Sequence, residues 1–514
     1  MTFFSRSRPS PRGPEGTPRE RARKRRKQRG VAIVLVLGAL TILTVMLTDF
    51  QDEASAELGS ALSARDSIKA EYAARSAIQL SRLLIASEPT IRKALAPLSI
   101  VMGGAPPQIP VWEFADQVLG AFNDAEGQTK FSMLASVSLE KGKKLGMEGA
   151  GFDIDILDED SKINVNSASR DAMTQVRVAM ELLGLMSPPQ YEPMFTGRDG
   201  DGQYSDRATI CGAIIDWVDF NQDLATCDLR TAQGGSATPE DTFYQLLDPP
   251  YFRKNAPFDS LEELHMVRGV TDDFWSTFVD PDPQDPAKRN VTVWGQGKIN
   301  VNTANAQTIL ALICASAVPP VKVCMDPMEM AKFLSLVNLL RSFTMGAPLF
   351  NSPNGFVNTL KQTTPIGTML KVMGLEPITF ISEAETKKAI STDSKVFSLI
   401  ATGHVKSGQR DTRVKIHAVV DFRGSPPPAM LLANQMQQTA ATSGNAAAAN
   451  ALSSAAQSVT GAVNAAVGAL GQQAAANGLA VPPGTQLPTG ATADSDLAFL
   501  IPSPGGRIVY FRID

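Results

Sequence analysis

Histidine is nearly absent from this chain, and so are the residue patterns of common enzymes. Its 514 residues include three histidines, His265, His404 and His417, which lack the spacing of a zinc protease. We find no phosphate-binding loop ending in Gly-Lys-Ser or Gly-Lys-Thr and no nucleophile elbow. Because the common ways of being an enzyme are missing, we predict a protein that is not one.

Positive charge is scarce outside the first thirty residues. Residues 1–30 contain eleven Lys and Arg against two acids, whereas the rest of the chain contains 37 basic and 50 acidic residues. Phosphate contacts need a surplus of Lys and Arg, so the acidic body disfavours nucleic acid as a partner. With 43% hydrophobic and 19% charged residues, the chain is predicted to be globular and long enough for two or more domains.

An uncharged apolar run, residues 31–47, follows the basic segment. At ~1.5 Å per residue it spans roughly 25 Å, near the lower limit for crossing a bilayer. The positive-inside rule keeps residues 1–30 in the cytoplasm and places the body outside the inner membrane. A cleaved secretory signal is disfavoured because no small residues follow the apolar core. An uncleaved anchor and a prepilin leader remain.

The junction at Gly30, between the basic run and the apolar helix, resembles a prepilin peptidase site. That resemblance implies cleavage after Gly30 and methylation of the new amine of Val31. Most pilin-like subunits carry Glu as the fifth mature residue, where this chain has Leu35. Lack of this Glu is a feature of the minor pseudopilin K family of type II secretion systems, which the chain resembles. A subunit that lacks this Glu suits a filament position with no subunit above it, because a buried charge without a partner is costly.

The middle of the chain contains a repeat: SKINVNSAS at 161–169 recurs as GKINVNTAN at 297–305. Each copy predicts a strand end that turns into a helix, capped by Ser167 or Thr303. The second copy and residues 258–275 resemble helix-hairpin-helix modules, so a membrane-anchored nucleic-acid-binding protein is the alternative function. One cation among four acids near the turn at Gly269 argues against it. These charged residues are Glu262, Glu263, Arg268, Asp272 and Asp273.

An acidic stretch between the two repeat copies predicts a calcium site. Asp219, Asn221 and Asp223 stand at i, i+2 and i+4, the spacing of a tight calcium loop. It is not an EF-hand, because Leu224 and Arg230 replace the required glycine and acid. The residue order here resembles the insert of the protein K family, which is reported to bind calcium; acidic residues that are merely solvated are the alternative. The predicted ligands are Asp216, Asp219, Asn221, Asp223, Glu240 and Asp241.

The four cysteines fall into two pairs that are near in sequence, Cys211 with Cys227 and Cys314 with Cys324. Disulfides are allowed outside the inner membrane. Four cysteines permit three connectivities, of which we favour the near pairing. Zinc is disfavoured because the spacings are long and no histidine lies near.

Apolar alternation predicts several strands. Residues 131–139 and 151–160 predict one hairpin, and residues 396–405 and 412–423 predict a second. Residues 506–514 predict a returning strand that closes the sheet beside the earlier hairpin.

We predict an α+β, pilin-like fold, with a long N-terminal helix and a small antiparallel sheet that a large, mostly helical insertion interrupts. The predicted segments are 1–30 for the leader, 31–88 for the transmembrane segment and spine, 89–164 for the first part of the sheet, 165–395 for the insertion with two helix-hairpin-helix-like halves, 396–423 and 506–514 for the second part of the sheet, and 424–495 for a low-complexity linker.

The family resemblance implies a minor pseudopilin at the tip of the pseudopilus, which nucleates its assembly and supports protein export across the outer membrane. The implied partners are minor pseudopilins I and J, the major pseudopilin, prepilin peptidase and inner membrane lipid. The implied location is the inner membrane, crossed once, with the body in the periplasm.

Overall fold

The structure is a computed structural model whose described residues form two compact units, residues 1–68 and residues 69–514. It describes residues 18–101, 108–123, 149–198, 204–221, 223–225, 227, 236–239, 243–247, 249–344, 348–426 and 503–514.

The helices and strands have the following bounds. The helices are α1 Pro18–Val101, α2 Ala115–Leu119, α3 Ala172–Met186, α4 Glu192–Thr196, α5 Arg207–Val218, α6 Asp272–Phe274, α7 Ala306–Ser316, α8 Lys322–Met325, α9 Pro327–Thr344, α10 Pro353–Leu360, α11 Pro365–Val372 and α12 Glu383–Ala389. The strands are β1 Ala150–Asp158, β2 Ile163–Asn164, β3 Asp223–Leu224, β4 Ser236–Pro239, β5 Val291–Thr292, β6 Ile299–Asn300, β7 Ile390–Ser391, β8 Val396–Ser407, β9 Arg410–Asp421 and β10 Arg507–Ile513.

Helix α1 is longer than the sequence predicts. It includes part of the basic segment, and it continues past Pro89, although the transmembrane segment and spine were predicted to end at residue 88. That prediction was wrong because proline removes one backbone donor without forbidding helical φ. The Glu88–Arg92 ion pair, at 2.8 Å, bridges the turn that contains Pro89.

The N-terminal part of α1 has the composition of a membrane anchor. Large apolar side chains from Val31 to Phe50 are exposed. Among the described residues, this is the one helix long and apolar enough to span a membrane. It fits a single-pass anchor for a body outside the membrane.

Four antiparallel strands form a sheet in the order β1–β8–β9–β10. Strands β8 and β9 form a hairpin that turns at Gly408, which has a positive φ. Strand β10 pairs with β9, with a bulge between Ile508 and Tyr510. The predicted second hairpin and the existence of the returning strand are therefore confirmed; the strand pairs with the second hairpin and not with the described strand of the earlier one. Residues 131–139 of the first hairpin, and residues 427–495 of the linker, lie outside the described residues.

The C-terminal part of α1 packs on one face of this sheet. Ala74, Ala77 and Ile78 are buried against apolar residues of β1, β8 and β9. Gly403 of β8 faces α1 so closely that a Cβ there would overlap the carbonyl oxygen of Ala70. A glycine at this position lets the helix backbone approach the sheet. The predicted α+β fold, with its long helix and small antiparallel sheet, is confirmed.

Between β1 and β8 the described chain is mostly helical and has its own apolar core. The first long helices after each repeat copy, α3 and α7, cross at Gly184. A Cβ on Gly184 would overlap the carbonyl oxygen of Ala311, so glycine permits this close crossing. The two repeat copies are thus joined through the helices that follow them.

The predicted helix caps after the repeat were wrong. Residues Val165–Ser169 form a 3₁₀ turn, so the α-helix starts later than expected, and Asp171 accepts a hydrogen bond from Thr174 N as the cap. Asn305 caps α7 in the same way. Thr303 instead donates its hydroxyl to a carboxylate of Asp158.

Candidate functional site

An acidic site lies at the C-terminal end of α5. Asp216 belongs to the last turn of the helix and Asp219 follows its end, so the two carboxyl groups come from neighbouring turns. Both side chains are buried, with 2% and 6% exposure. Asp216 Oδ1 accepts a hydrogen bond from Ala225 N at 2.6 Å. The site is therefore tied to the chain that follows the helix.

Asp219 is held by two amide side chains. Its Oδ2 accepts from Gln175 Nε2 of α3 at 3.1 Å and from Asn221 Nδ2 at 2.7 Å. Its Oδ1 is buried and has no hydrogen-bond partner among the described residues. A buried carboxylate oxygen without a partner is costly, so this atom is suited to bind a cation.

Burial makes this pair of acids hard to ionise. The pKa of Asp216 is raised to about 7, mainly by desolvation and also by the charge of Asp219, while the hydrogen bond from Ala225 N and the charge of Arg253 oppose the shift. Desolvation also raises the pKa of Asp219, again against the charge of Arg253. A bound cation, in addition to the charge of Arg253, would favour the ionised form of both Asp216 and Asp219.

The donors that the structure describes fit a hard cation in part. Asp216 and Asp219 are brought together and would hold it through carboxylate oxygens. Asn221 directs its amide nitrogen, not its oxygen, at Asp219. No group of three His, Cys, Asp or Glu side chains that could hold a metal occurs in the described residues. The side chain of Asp223, and Glu240 and Asp241, lie outside them.

Both cysteine pairs are bonded in the structure as Cys211–Cys227 and Cys314–Cys324, with Cα–Cα distances of 6.0 and 5.8 Å. The first pair links α5, one turn before Asp216, to the segment that follows Asp219. The second links α7 to α8. The first disulfide therefore restrains the loop that carries part of the predicted calcium site.

The second asparagine of the first repeat copy, Asn166, joins two distant segments. Its Nδ2 donates to Phe258 O at 2.9 Å and Val293 O at 2.8 Å, and its Oδ1 accepts from Phe258 N at 2.7 Å. The preceding Asn164 accepts from Asn166 N and fixes the local turn. Sequence analysis found the repeat but missed this function.

The second copy repeats this arrangement. Asn302 Nδ2 donates to Phe350 O at 2.9 Å and Thr392 O at 3.4 Å, and its Oδ1 accepts from Leu349 N and Phe350 N. Asn300 accepts from Asn302 N at 3.0 Å. Each copy also forms a two-residue parallel strand pair, β2 with β5 and β6 with β7. The insertion therefore consists of two similarly built halves.

Three consecutive acids, Asp158, Glu159 and Asp160, join the sheet to both halves. Asp158 Oδ2 accepts from Thr303 and Ser394 hydroxyls at 2.5 Å. The other two acids bond to further segments of the insertion and of β8. These contacts are Glu159 with Thr292 and Ser398, and Asp160 with the backbone N–H groups of Gln296, Lys395 and Val396.

The ionisation of these acids differs along the triplet. Burial raises the pKa of Asp158, and burial together with the charge of Asp158 raises the pKa of Asp160 to about 7. Burial also disfavours ionised Glu159, but Lys162 and two hydroxyls outweigh it and lower its pKa. Every carboxyl has partners, so we interpret the triplet as a structural junction.

The helix-hairpin-helix-like segment has the predicted turn. A 3₁₀ helix, Leu261–Met266, leads to Gly269, whose φ of 78° is a left-handed conformation, and α6 follows. The nearby cation, Arg268, lies over the ring of Phe243 at 4.7 Å. The glycine turn is thus present, but a 3₁₀ helix and a three-residue α-helix flank it, and the charged residues near it are one cation among four acids.

The predicted processing site lies in α1. Gly30 and Val31 are both helical, and Val31 is 61% exposed. Leu35, in the place of the usual Glu, is 68% exposed. Cleavage and methylation at this point remain predictions.

A helix whose apolar N-terminal part fits a membrane anchor, an antiparallel sheet on its C-terminal part and a two-halved helical insertion define the class as an α+β protein with a long N-terminal helix. The family model described as type II secretion system protein K matches residues 161–278, which begin directly after the acidic triplet and make up most of the first half. The predicted resemblance to the protein K family is confirmed, and that family is a secretion-system component.

Comparison with solved structures gives a distant likeness. A chain of the GspK–GspI–GspJ complex of the type 2 secretion system from enterotoxigenic Escherichia coli is 14% identical, with a TM-score of 0.34. The match covers 54% of this chain and 76% of that one. A likeness this weak carries no argument about function. Comparison with curated proteins gave no significant match.

Proposed function

We propose that this chain is the minor pseudopilin at the tip of a type II secretion pseudopilus. There it nucleates assembly with minor pseudopilins I and J, contacts the major pseudopilin, and supports protein export across the outer membrane. The protein K match over residues 161–278 is the observation that carries this proposal. The acidic charge of the body argues against the nucleic-acid alternative.

The anchor supports an inner-membrane location. The apolar part of α1 follows a segment with eleven Lys and Arg in thirty residues, so the basic side stays in the cytoplasm. The body then lies in the periplasm, where disulfides are stable. Prepilin peptidase removes residues 1–30 and methylates Val31.

Leu35 supports the tip position. In a filament, a Glu at the fifth mature residue would neutralise the amine of a neighbouring subunit. A subunit that has Leu35 cannot supply this carboxylate, so it suits the end of the filament better than its interior. The insertion between β1 and β8 would also be hard to fit beside stacked subunits.

Labelling of the filament tests the tip position. An epitope-directed gold label on this chain should appear about once per pseudopilus, at one end, while the same label on the major pseudopilin should decorate the whole length. Decoration of the whole length by this chain would refute the tip position.

Mass spectrometry of membrane-extracted protein tests processing. The mature chain should begin at N-methylated Val31, and Gly30→Val should leave the precursor uncut. Gly38→Val is the matched control, since Gly38 has no contact within 4 Å of an added Cβ. An intact residue 1–30 segment in cells with active prepilin peptidase would refute processing.

A further inference from the structure

An apolar groove crosses the boundary between the two halves of the insertion. Helix α3 of the first half, and α7 and α12 of the second, enclose a cavity of about 220 Å³. Three large apolar side chains on its rim are exposed: Met173 by 63%, Val176 by 54% and Ile381 by 61%. Exposed apolar side chains grouped around a groove are typical of a binding surface.

One carboxyl group lies in this groove. Glu181 of α3 is 5% exposed, and its Oε1 has no hydrogen-bond partner among the described residues. Arg177, which also lines the groove, lowers the pKa of Glu181 through its charge. No ion pair joins these two side chains in the described structure. Burying a carboxyl group without a hydrogen-bond partner lowers the stability of the folded chain, so the position of Glu181 is unfavourable while the groove is empty.

The groove and the acid together define the chemistry of an occupant. Apolar side chains would cover Met173, Val176 and Ile381, and a cation between them would reach Glu181. A single carboxylate is too few ligands for a metal ion. We propose that the groove binds a segment of a partner protein that inserts one Lys or Arg, flanked by apolar side chains, against Glu181. This goes beyond the proposed function and does not depend on it.

Binding of this kind has a pH signature. Desolvation raises the pKa of Glu181 to about 8, so the free groove carries a neutral acid at pH 7. Pairing with a cation requires the ionised form, so binding releases a proton below pH 8. The affinity should therefore rise from pH 6 to about pH 8 and then level off. The other titratable groups in the groove are Arg177 on α3 and Glu385 on α12; α7 contributes Leu312, Ala315 and Ser316, which do not titrate in this range.

Selection of peptides from a phage-displayed library on the detergent-solubilised full chain tests the proposal. The selected peptides should share a Lys or Arg between apolar residues. Their affinity, measured by fluorescence anisotropy, should fall about thirtyfold or more for Glu181→Gln and also fall for Met173→Asp. Glu383→Gln is the matched control on α12, because Glu383 lies outside the groove and already pairs with Lys361 and Lys387; it should change the affinity little.

Three results would overturn the proposal. The first is a selection that yields no peptide sensitive to Glu181→Gln. The second is a lower melting temperature for Glu181→Gln, which would mean that the chain itself pairs this carboxyl; we expect an unchanged or higher one. The third is a dimeric wild type that Met173→Asp makes monomeric, which would identify the occupant as a second copy of this chain.

Discussion

Asn166 and Asn302 have the same function at equivalent positions of the two halves. Each is the last residue of an Ile-Asn-Val-Asn segment, and each joins a loop and a returning strand by three or four hydrogen bonds. The bonded segments are far apart in sequence, so these amides close long loops in both halves. The two halves therefore share a set of hydrogen bonds centred on one asparagine side chain, Asn166 or Asn302, which we call the frame.

The halves differ in what they carry on that frame. The first half carries the buried pair Asp216 and Asp219 beside a disulfide. In the second half, the next long helix after α7 is α9, and its last four residues, Arg341 to Thr344, include no acid. The family match, over residues 161–278, lies in the first half. The comparison indicates that the frame is structural and that the acids are specific to one half.

The largest expected effect comes from breaking the frame. Asn166→Leu leaves three backbone groups of two segments without partners, which should lower the free energy of unfolding by about 4 kcal/mol. Asn302→Leu should cost a similar amount. Asn338→Leu, on the exposed face of α9, is the control and should stay within about 0.5 kcal/mol of wild type.

Urea unfolding of the detergent-solubilised chain measures these costs. Unequal effects of the two replacements, by more than about 2 kcal/mol, would mean that the two halves are not equivalent in energy.

The next effect concerns the disulfides. Replacing Cys211 and Cys227 by Ser should cost about 3 kcal/mol, and replacing Cys314 and Cys324 slightly less, because the sequence separations are 16 and 10 residues. Thermal unfolding gives the costs, and non-reducing peptide mapping gives the pairing. Four free thiols in protein taken from the periplasmic side would refute both bonds.

Calcium should distinguish the halves. We propose that Asp216 and Asp219 bind it, so calcium at about 100 times its dissociation constant should stabilise the chain by about 2.7 kcal/mol. Asp216→Asn with Asp219→Asn should abolish this gain, while Asn302→Leu should lower stability and leave the gain intact. An unchanged melting temperature on adding millimolar calcium to chelated protein would contradict the site.

The sequence predicted what depends on local pattern. Alternating apolar residues predicted β8, β9 and β10, and the repeated Ile-Asn-Val-Asn segments predicted two related halves. The function of Asn166 was not predictable, because its partners lie 92 and 127 residues away. The helix caps were missed because a 3₁₀ turn precedes α3, and a strand-to-helix pattern does not show such a turn.

Glu181 could not be identified from sequence either. An acid within an amphipathic helix is expected on the solvent face. It is buried here because α7 and α12, which are distant in sequence, cover it. Likewise, Asp158, Glu159 and Asp160 follow a strand as a solvated turn would, and only the crossing of β8 and the insertion buries them.

The last expected effect is a pH dependence, to which the first half contributes through Asp216 and Glu181 and the junction through Asp158 and Asp160. Burial raises the folded-state pKa of Asp216 to about 7 and that of Glu181 to about 8, above the ordinary values of 3.8 and 4.5. The folded state therefore binds more protons than the unfolded state between about pH 4 and pH 8. Stability should fall as the pH rises through that window.

The direction in which the free energy of unfolding changes with pH can be tested directly. With a chelator present, the free energy of unfolding should be lower at pH 8 than at pH 5, and Asp216→Asn should reduce the difference because one buried acid is removed. Calcium should reduce it too, since a bound cation favours the ionised carboxylates and offsets the cost of burying them. Urea unfolding at the two pH values measures it. A chelated chain whose pH difference is unchanged by Asp216→Asn would show that Asp216 stays ionised over this range beside Arg253, and the difference between the two halves would then be one of internal pairing.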